Sequence, residues 1–493
     1  MKRRLSQFAR HVGLIILVLL LPFAVAVQAD EPFMLKDINP CSEDSGPAYL
    51  TNVNGTLFFS ANDGTNGREL WKSDGTQTGN IMVKDIYQGS FNSSPRYMTN
   101  MNGTIFFSAL CDTNGPELWK SDGTEAGTVL VKDIHQMGGS NPQDLTIVND
   151  TLFFSANDGN NGIELWKSDG TEAGTLMVKD INPTTSSSPA YLTNVNGTLF
   201  FSADDGTNGR ELWKSDGTEE GTVMVKDINP AGYSNPDQLI NINGTLFFTA
   251  VEFTNGLELW KSDGTEAGTV MVKDINPSGS SNPQHLTNVN GILFFSAGES
   301  TNGTELWKSD GTETGTVMVK DINPSGISGP QYLTNVNGTL FFSADEGTNG
   351  RELWKSDGTE AGTVMVKDIN PMGNSNIEEL RNVNGTLFFE AYDVVNGREL
   401  WKSDGTEAGT FMVKDINPGT GYSNTAYLMN INSTLFFAAD DGIYGIELWM
   451  CYADCIEPPL GDINKDCRVD FSDFAIIASE WLACNKTSAE LCW

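Results

Sequence analysis

Histidine is nearly absent: three in 493 residues, of which only His135 and His285 lie beyond the amino-terminal leader. Both sit in polar stretches between strand-like runs, and neither stands beside a Ser or Cys nucleophile pattern. Imidazole is the side chain most used for proton transfer near neutral pH, so histidine-based catalysis has no support in this chain. Basic residues are also few, 30 against 64 acidic ones, for a formal charge of −34. Such a chain repels phosphate backbones and anionic lipid, which argues against a nucleic-acid partner. Cysteine is scarce before residue 451, with only Cys41 and Cys111, whereas Cys451, Cys455, Cys467, Cys484 and Cys492 crowd the C-terminal end. Most of the chain therefore folds without a disulfide framework, while the end reads as a small stapled module. The odd total leaves one thiol over.

Long apolar runs are missing too, with one exception, Val12 to Val27. Lys2, Arg3 and Arg4 precede it, Pro22 interrupts it, and Val27-Gln28-Ala29 offers a cleavage site after Ala29. That is the layout of a secretory signal, and it is short for a span of about 20 apolar residues. Residues 1–29 are expected to be removed, leaving a secreted or cell-surface protein with no membrane span. A hydrophobic content of 39% with 11 Trp argues for packed structure despite the charge.

What the chain has in abundance is repetition. Glu-Leu-Trp recurs with Trp at 71, 119, 166, 213, 260, 307, 354, 401 and 449, each 47 or 48 residues after the last. Lys-Asp-Ile also recurs nine times, from Lys36-Asp37-Ile38 to Lys414-Asp415-Ile416. A period of this size marks a propeller or solenoid built from one supersecondary unit. In the unit from Tyr191, a short strand Tyr191–Val195 leads to Asn196-Gly197, the favoured two-residue hairpin turn. Thr198 to Ala203 is a second strand, too continuously apolar for a sheet with one wet face. Glu211–Ser215 is a third strand, Asp216-Gly217-Thr218 a turn, and Thr222 to Ile228 a fourth, stopped by Asn229-Pro230. Four antiparallel strands buried on both faces describe a propeller blade.

The ends agree. The chain enters the repeats on a fourth strand, Phe33 to Ile38, and leaves on a third, Glu447-Leu448-Trp449. Together these halves complete a blade and close a ring. The expected fold is all-β: a nine-bladed propeller over residues 30–450, closed by its N-terminal strand, then a tail over 451–493. The string WKSDGTEAGTVMVKDI resembles the bacterial ELWxxDGT repeat, found in exported and surface proteins. That resemblance spans Asp30 to about Met450 and implies a location and a repeat fold, not an activity.

The nine copies can be compared with one another. WKSDGT and the strand 1–2 hairpins lie on one rim and hardly vary, as turn geometry requires of Asn, Asp and Gly. On the opposite rim the 2–3 loops read NDGTNG, LCDTNG, NDGNNG, DDGTNG, VEFTNG, GESTNG, DEGTNG, YDVVNG and DDGIYG. The 4–1 loops vary more: IYQGSFNSSPRY, INPAGYSNPDQL and INPMGNSNIEEL share little beyond polarity. Recognition belongs on the variable rim. It carries Tyr87, Phe91, Tyr233, Phe253, Tyr392 and Tyr422, and Tyr233 and Phe253 are the expected ligand-binding residues. The chain is expected not to be an enzyme. Its expected role is an interaction or scaffold protein that binds a glycan or a protein. The alternative is a polysaccharide-active hydrolase, which two carboxylates and an aromatic at one rim location would favour; no such cluster stands out along the sequence.

The tail changes character after Pro458-Pro459. From Asp462, oxygen side chains fall at loop positions 1, 3, 5, 9 and 12 (Asp462, Asn464, Asp466, Asp470, Asp473), with Arg468 where an EF-type loop offers a backbone carbonyl. Phe474, Ile477, Ala478 and Trp481 mark one face of a following helix. The segment resembles half of a type I dockerin, which implies Ca²⁺ as cofactor and a cohesin-like or other cell-surface protein as partner. By position, Asp462, Asn464, Asp466, Asp470 and Asp473 would be the ligands, and Phe471 and Ser472 the partner-contacting residues. Cys467 replaces the usual loop glycine, and a second calcium loop is not seen, so two-fold cohesin binding is not expected. A loop that serves only to cap the chain is the plainer reading. Calorimetry of the chain should detect one Ca²⁺ site, at roughly 10⁻⁴–10⁻³ M as in extracellular modules, and Asp462→Ala with Asp473→Ala should remove it. No calcium heat at millimolar metal would rule the site out.

Overall fold

The computed structural model describes residues 31–40, 43–111 and 115–452. The leader 1–29 and the calcium-loop residues Asp462, Asn464, Asp466, Arg468, Asp470, Phe471, Ser472 and Asp473 lie outside the described residues. Among the described residues, strands β1 to β36 form nine antiparallel four-stranded sheets, and there is no helix. In the fourth sheet β14 (Ala190–Val195), β15 (Thr198–Asp204), β16 (Arg210–Ser215) and β17 (Val223–Lys226) lie in chain order. The ninth is composite: β1 (Phe33–Lys36) pairs with β36 (Ile446–Tyr452), followed by β35 (Thr434–Asp440) and β34 (Ala426–Ile431). Phe33 faces Met450 and Met34 faces Trp449. The first strands of successive sheets touch all the way round, with β34 against β2 (Ala48–Val53). This is a closed nine-bladed propeller with the first strands at its axis, as the offset chain ends require. Cys451, grouped by sequence with the tail, is buried in β36.

The blades hold together by stacking. Leu199 to Ala203 on β15 are buried on both faces, since each blade is covered by two neighbours. Val195, Phe200, Leu212, Val225 and Ile228 of the fourth blade pack with Leu246, Phe248, Ala250 and Trp260 of the fifth. Each such side chain contributes about 1.5–3 kcal/mol on full burial. Lysines staple the junction: Lys226 lies 5.8 Å from the Trp260 ring centroid and donates to the Thr269 carbonyl at 2.8 Å. The closing seam has the same fittings. Lys36 lies 5.5 Å from the Trp71 ring and donates to Asn80 O at 3.0 Å, and Lys414 donates to Pro32 O at 2.9 Å.

The glutamate of Glu-Leu-Trp explains why the fourth strand is shorter than the sequence suggests. Glu211 is fully buried; its Oε2 accepts the Ile228 N–H at 2.8 Å and the Ser234 hydroxyl at 2.6 Å. Its Oε1 accepts the Ser234 N–H at 3.0 Å. The Ile228 amide goes to this carboxylate and not to a ladder, so β17 ends at Lys226 and the crossover begins. At the closing blade Glu447 accepts from Ile38 in the same way, and β1 ends at Lys36.

Burial pushes the carboxyls of Glu69, Glu164, Glu211, Glu352, Glu399 and Glu447 from 4.5 up to about 7, against the hydrogen bonds that favour the charged form. A raised carboxyl value means that the folded state holds protons the unfolded chain has released. The stability it contributes is complete below about pH 4.5 and lost as pH rises through 7. The melting temperature should therefore fall between pH 5 and pH 8. A melting temperature that climbs over this interval would contradict it.

Candidate functional site

The constant rim is spent on its own turns. Asp216 Oδ1 accepts the Thr218 N–H at 2.8 Å and the Thr218 hydroxyl at 2.7 Å, and these bonds hold its carboxyl below the usual range. Asn196 and Gly197 have φ of 50° and 82°, as a two-residue hairpin of this type needs.

The variable rim sorts its aromatics into two kinds. Tyr87 and Phe91 stack at 4.8 Å, and Tyr392 and Tyr422 meet edge-on at 6.1 Å, so these four form two pairs, with Phe91 and Tyr422 still 59% and 49% exposed. Tyr233 and Phe253 remain 57% and 81% exposed, and no ring contact joins them. Tyr233 lines a polar cleft of about 540 Å³ with Asn182, Asp204, Asn208 and Asp227. Its ring lies where a Cβ on Gly209 would stand, at φ 79°, which accounts for the glycine ending that 2–3 loop.

A second feature at this end went unread in the sequence. The second residue of every first strand has positive φ: Tyr49, Tyr97, Asp144, Tyr191, Gln238, His285, Tyr332, Glu379 and Tyr427, all between 53° and 59°. The ladder slips there; Ala190 faces Ser202 and the next pair is Thr193 with Phe200. None of the nine is glycine, and each such conformation costs about 1–3 kcal/mol, a strain that often accompanies function. They surround the axis at its variable end. Tyr49 is 6.3 Å from Tyr97 and 6.4 Å from Tyr427, a tyrosine arc across three blades. His285, read as a loop residue, lies instead in the first strand of the sixth blade (Gln284–Val289), its ring 6.4 Å from Tyr332. Burial and the Arg351 charge lower its pKa. The signal was present in the repeats: the two positions before the recurrent leucine (Met98 in the second blade) change from blade to blade.

One blade breaks the pattern. In the eighth, Glu390 stands where the fourth has Ser202, and it pairs in register with Glu378. Arg398 Nη1 bridges them, 3.2 Å from Glu378 Oε2 and 3.1 Å from Glu390 Oε2. Burial pushes Glu390 to about 7 despite Arg398, and the like charge of Glu378 adds to the rise. The Tyr332 phenol is close enough to feel Glu378, Arg398, Glu379 and Arg351. This is the pair of carboxylates with an aromatic that the sequence did not reveal, because strand register makes neighbours of Glu378 and Glu390. Arg398→Ala would leave Glu390 buried without a counter-charge and should cost about 3–5 kcal/mol in denaturant unfolding. Glu390→Ser in the same chain should restore most of it. A loss under about 1 kcal/mol would show that the pair is solvated.

No family model matches the sequence, and neither does any curated protein. Solved structures match the fold. A structure from an analysis of two prolyl endopeptidases matches at TM-score 0.40 and 11% identity, over 71% of this chain and 55% of that one. A puromycin hydrolase matches at 0.39 and 12%, over 83% and 61%. A Mycobacterium tuberculosis puromycin-hydrolyzing peptidase matches at 0.39 and 10%, over 83% and 60%. The chain thus spans little more than half the length of these proteins. All three are hydrolytic enzymes, which corrects the expectation that a chain of this architecture is not an enzyme. At these scores the likeness carries no residue and no reaction over to this protein.

Proposed function

We propose that this is an exported or surface-attached interaction protein that binds a glycan on its variable face, centred on the axial ring. The tyrosine arc of Tyr427, Tyr49 and Tyr97, with Tyr49 and Tyr427 half exposed, carries this reading, since flat amphipathic rings among polar groups suit the faces of sugars. The high negative charge favours a neutral ligand over an anionic one. Tyr233 and Phe253 would extend the surface outward. The resemblances to ELWxxDGT repeats and to half a dockerin support export and a calcium-dependent tail that docks a cohesin-like partner or caps the chain.

Glu378, Glu390 and Arg398 favour a second reading, a polysaccharide-active hydrolase. A buried carboxyl raised to about 7 beside a half-exposed one suits proton donation paired with a charged group. Incubation with polysaccharides separates the two readings. Release of reducing ends that Glu378→Gln abolishes would establish the hydrolase. For the binding reading, a glycan array should give signals that Tyr49→Asn with Tyr427→Asn reduces at least tenfold. Asn tolerates positive φ, so the melting temperature should hold. Tyr233→Ala and Phe253→Ala should weaken binding less. Signals unaffected by the first pair, or lost instead with Asp216→Ala and Asp263→Ala, would refute the assignment of the face.

A further inference from the structure

The nine blades are not nine equal variants: an arginine precedes Glu-Leu-Trp in blades one, four, seven and eight and a tyrosine holds the strained position in blades one, two, four, seven and nine, but the two coincide only in every third blade. Blades one, four and seven place an arginine before Glu-Leu-Trp and a tyrosine at the strained position: Arg68 with Tyr49, Arg210 with Tyr191, Arg351 with Tyr332. The three guanidinium groups make the same bonds. Arg68 Nη1 donates to Gly46 O at 2.7 Å and Ser60 O at 3.3 Å, and Nη2 to Ser45 O at 3.2 Å. Arg210 donates to Ser188 O, Ser202 O and Ser187 O at 2.9, 3.3 and 3.4 Å. Arg351 donates to Gly329 O, Ser343 O and Ser328 O at 2.7, 3.2 and 3.2 Å. Blades two, five and eight carry LCDTNG, VEFTNG and YDVVNG, which, like GESTNG of blade six, lack the Asp-Gly or Glu-Gly of the 2–3 loops of blades one, four and seven. In blades five and eight these loops expose apolar side chains: Phe253 at 81% and Val395 at 68%.

The surroundings of Tyr191, across blades three to five, show what this arrangement builds. Asp144, Tyr191, Arg210 and Asp237 line a cleft of about 380 Å³. The Tyr191 phenol lies close enough to Asp237 to feel its charge, and the Tyr191 backbone N–H donates to Asp144 Oδ2 at 3.2 Å. The tyrosine ring stays half exposed, as do its counterparts: 47% for Tyr191, 42% for Tyr49 and 39% for Tyr332. The residue that opens the next first strand differs, being Arg96, Asp237 and Glu378 in turn. An aromatic face beside groups that hydrogen-bond hydroxyls suits a neutral sugar ring at each place.

We infer that the variable face carries three ligand stations built on one tyrosine–arginine pair each, at Tyr49 (flanked by Tyr97 and Tyr427), Tyr191 and Tyr332, each taking a sugar ring of a neutral oligosaccharide. The arginines act as positioning residues that fix the crossover beneath each tyrosine. Trivalence matters for an extracellular binder, because stations joined on one rigid ring convert weak single contacts into avidity of 10²-fold or more on a repeating polymer.

This inference rests on the glycan reading, and titration calorimetry of the full chain tests the two separately. Cellohexaose, xylohexaose and mannohexaose serve as probes. The expected result is about three sites per chain with one of them, falling to about two in each of Tyr49→Asn, Tyr191→Asn and Tyr332→Asn, and to none in the triple variant at unchanged melting temperature. Tyr191→Phe should keep its site and weaken it, since the ring stays and the hydroxyl beside Asp237 goes. A single site, or one substitution that removes all binding, would overturn the threefold design and leave the glycan reading standing. No heat with any of the three oligosaccharides on the folded chain would overturn both.

Discussion

Everything at the variable end of this propeller hangs on a buried carboxylate. In each blade the glutamate of Glu-Leu-Trp, with no exposure to solvent, gathers the amide at the end of the fourth strand and a second amide of the crossover, that of the closing serine in all but the eighth blade; Glu69 does so with Ile86 and Ser93, and Glu399 with Ile416 and Asn417. An isolated charge in such a place would be ruinous, and only the convergent donors make it tolerable. The result is a crossover pinned at both ends whose middle is free to vary. Leu70 and Trp71 beside Glu69 face the stacked core, so one tripeptide serves the clasp and the blade junction together.

The clasp also bears the strain. Nine side chains that are not glycine sit in left-handed backbone around the axis, and the register slip beside each would relax if the crossover were loose. Pinned on one side by the glutamate and on the other by the Asn-Gly hairpin, the first strand has no freedom to shift by a residue. The tyrosines are thereby held at fixed places by the strand, whereas Tyr87 and Phe91 stack on each other within their crossover. Pre-ordered aromatic rings lose little entropy on binding, which is the advantage a rigid ring offers over a mobile loop.

Variation is confined to positions that the frame does not use. Ser202 and its equivalents can be exchanged for Glu390 because Arg398 supplies the counter-charge. The eighth blade therefore departs in several coupled residues at once, which is how a nearly periodic structure acquires a unique location. The threefold recurrence of Tyr and Arg is a second departure from periodicity.

The ring was readable from the chain alone. A 47-residue period, doubly buried strands such as Thr198 to Ala203, and ends that complete one blade leave a closed propeller as the economical answer. The turn strings were equally plain, because Asn-Gly and Ser-Asp-Gly-Thr carry their geometry locally. The strand ends were not: Ile228 looks like a strand residue, and only the distant Glu211 takes its amide away. Nor did the sequence show that the residue before each recurrent leucine stands at the axis in a strained conformation, since a bulge depends on the partner strand. Glu378 and Glu390 are twelve positions apart and become neighbours through register. Periodicity and turn chemistry act over a few residues and survive in the string of letters. The axial ring, the bridged carboxylates and the cleft beside Tyr191 exist only once nine blades have brought distant segments together.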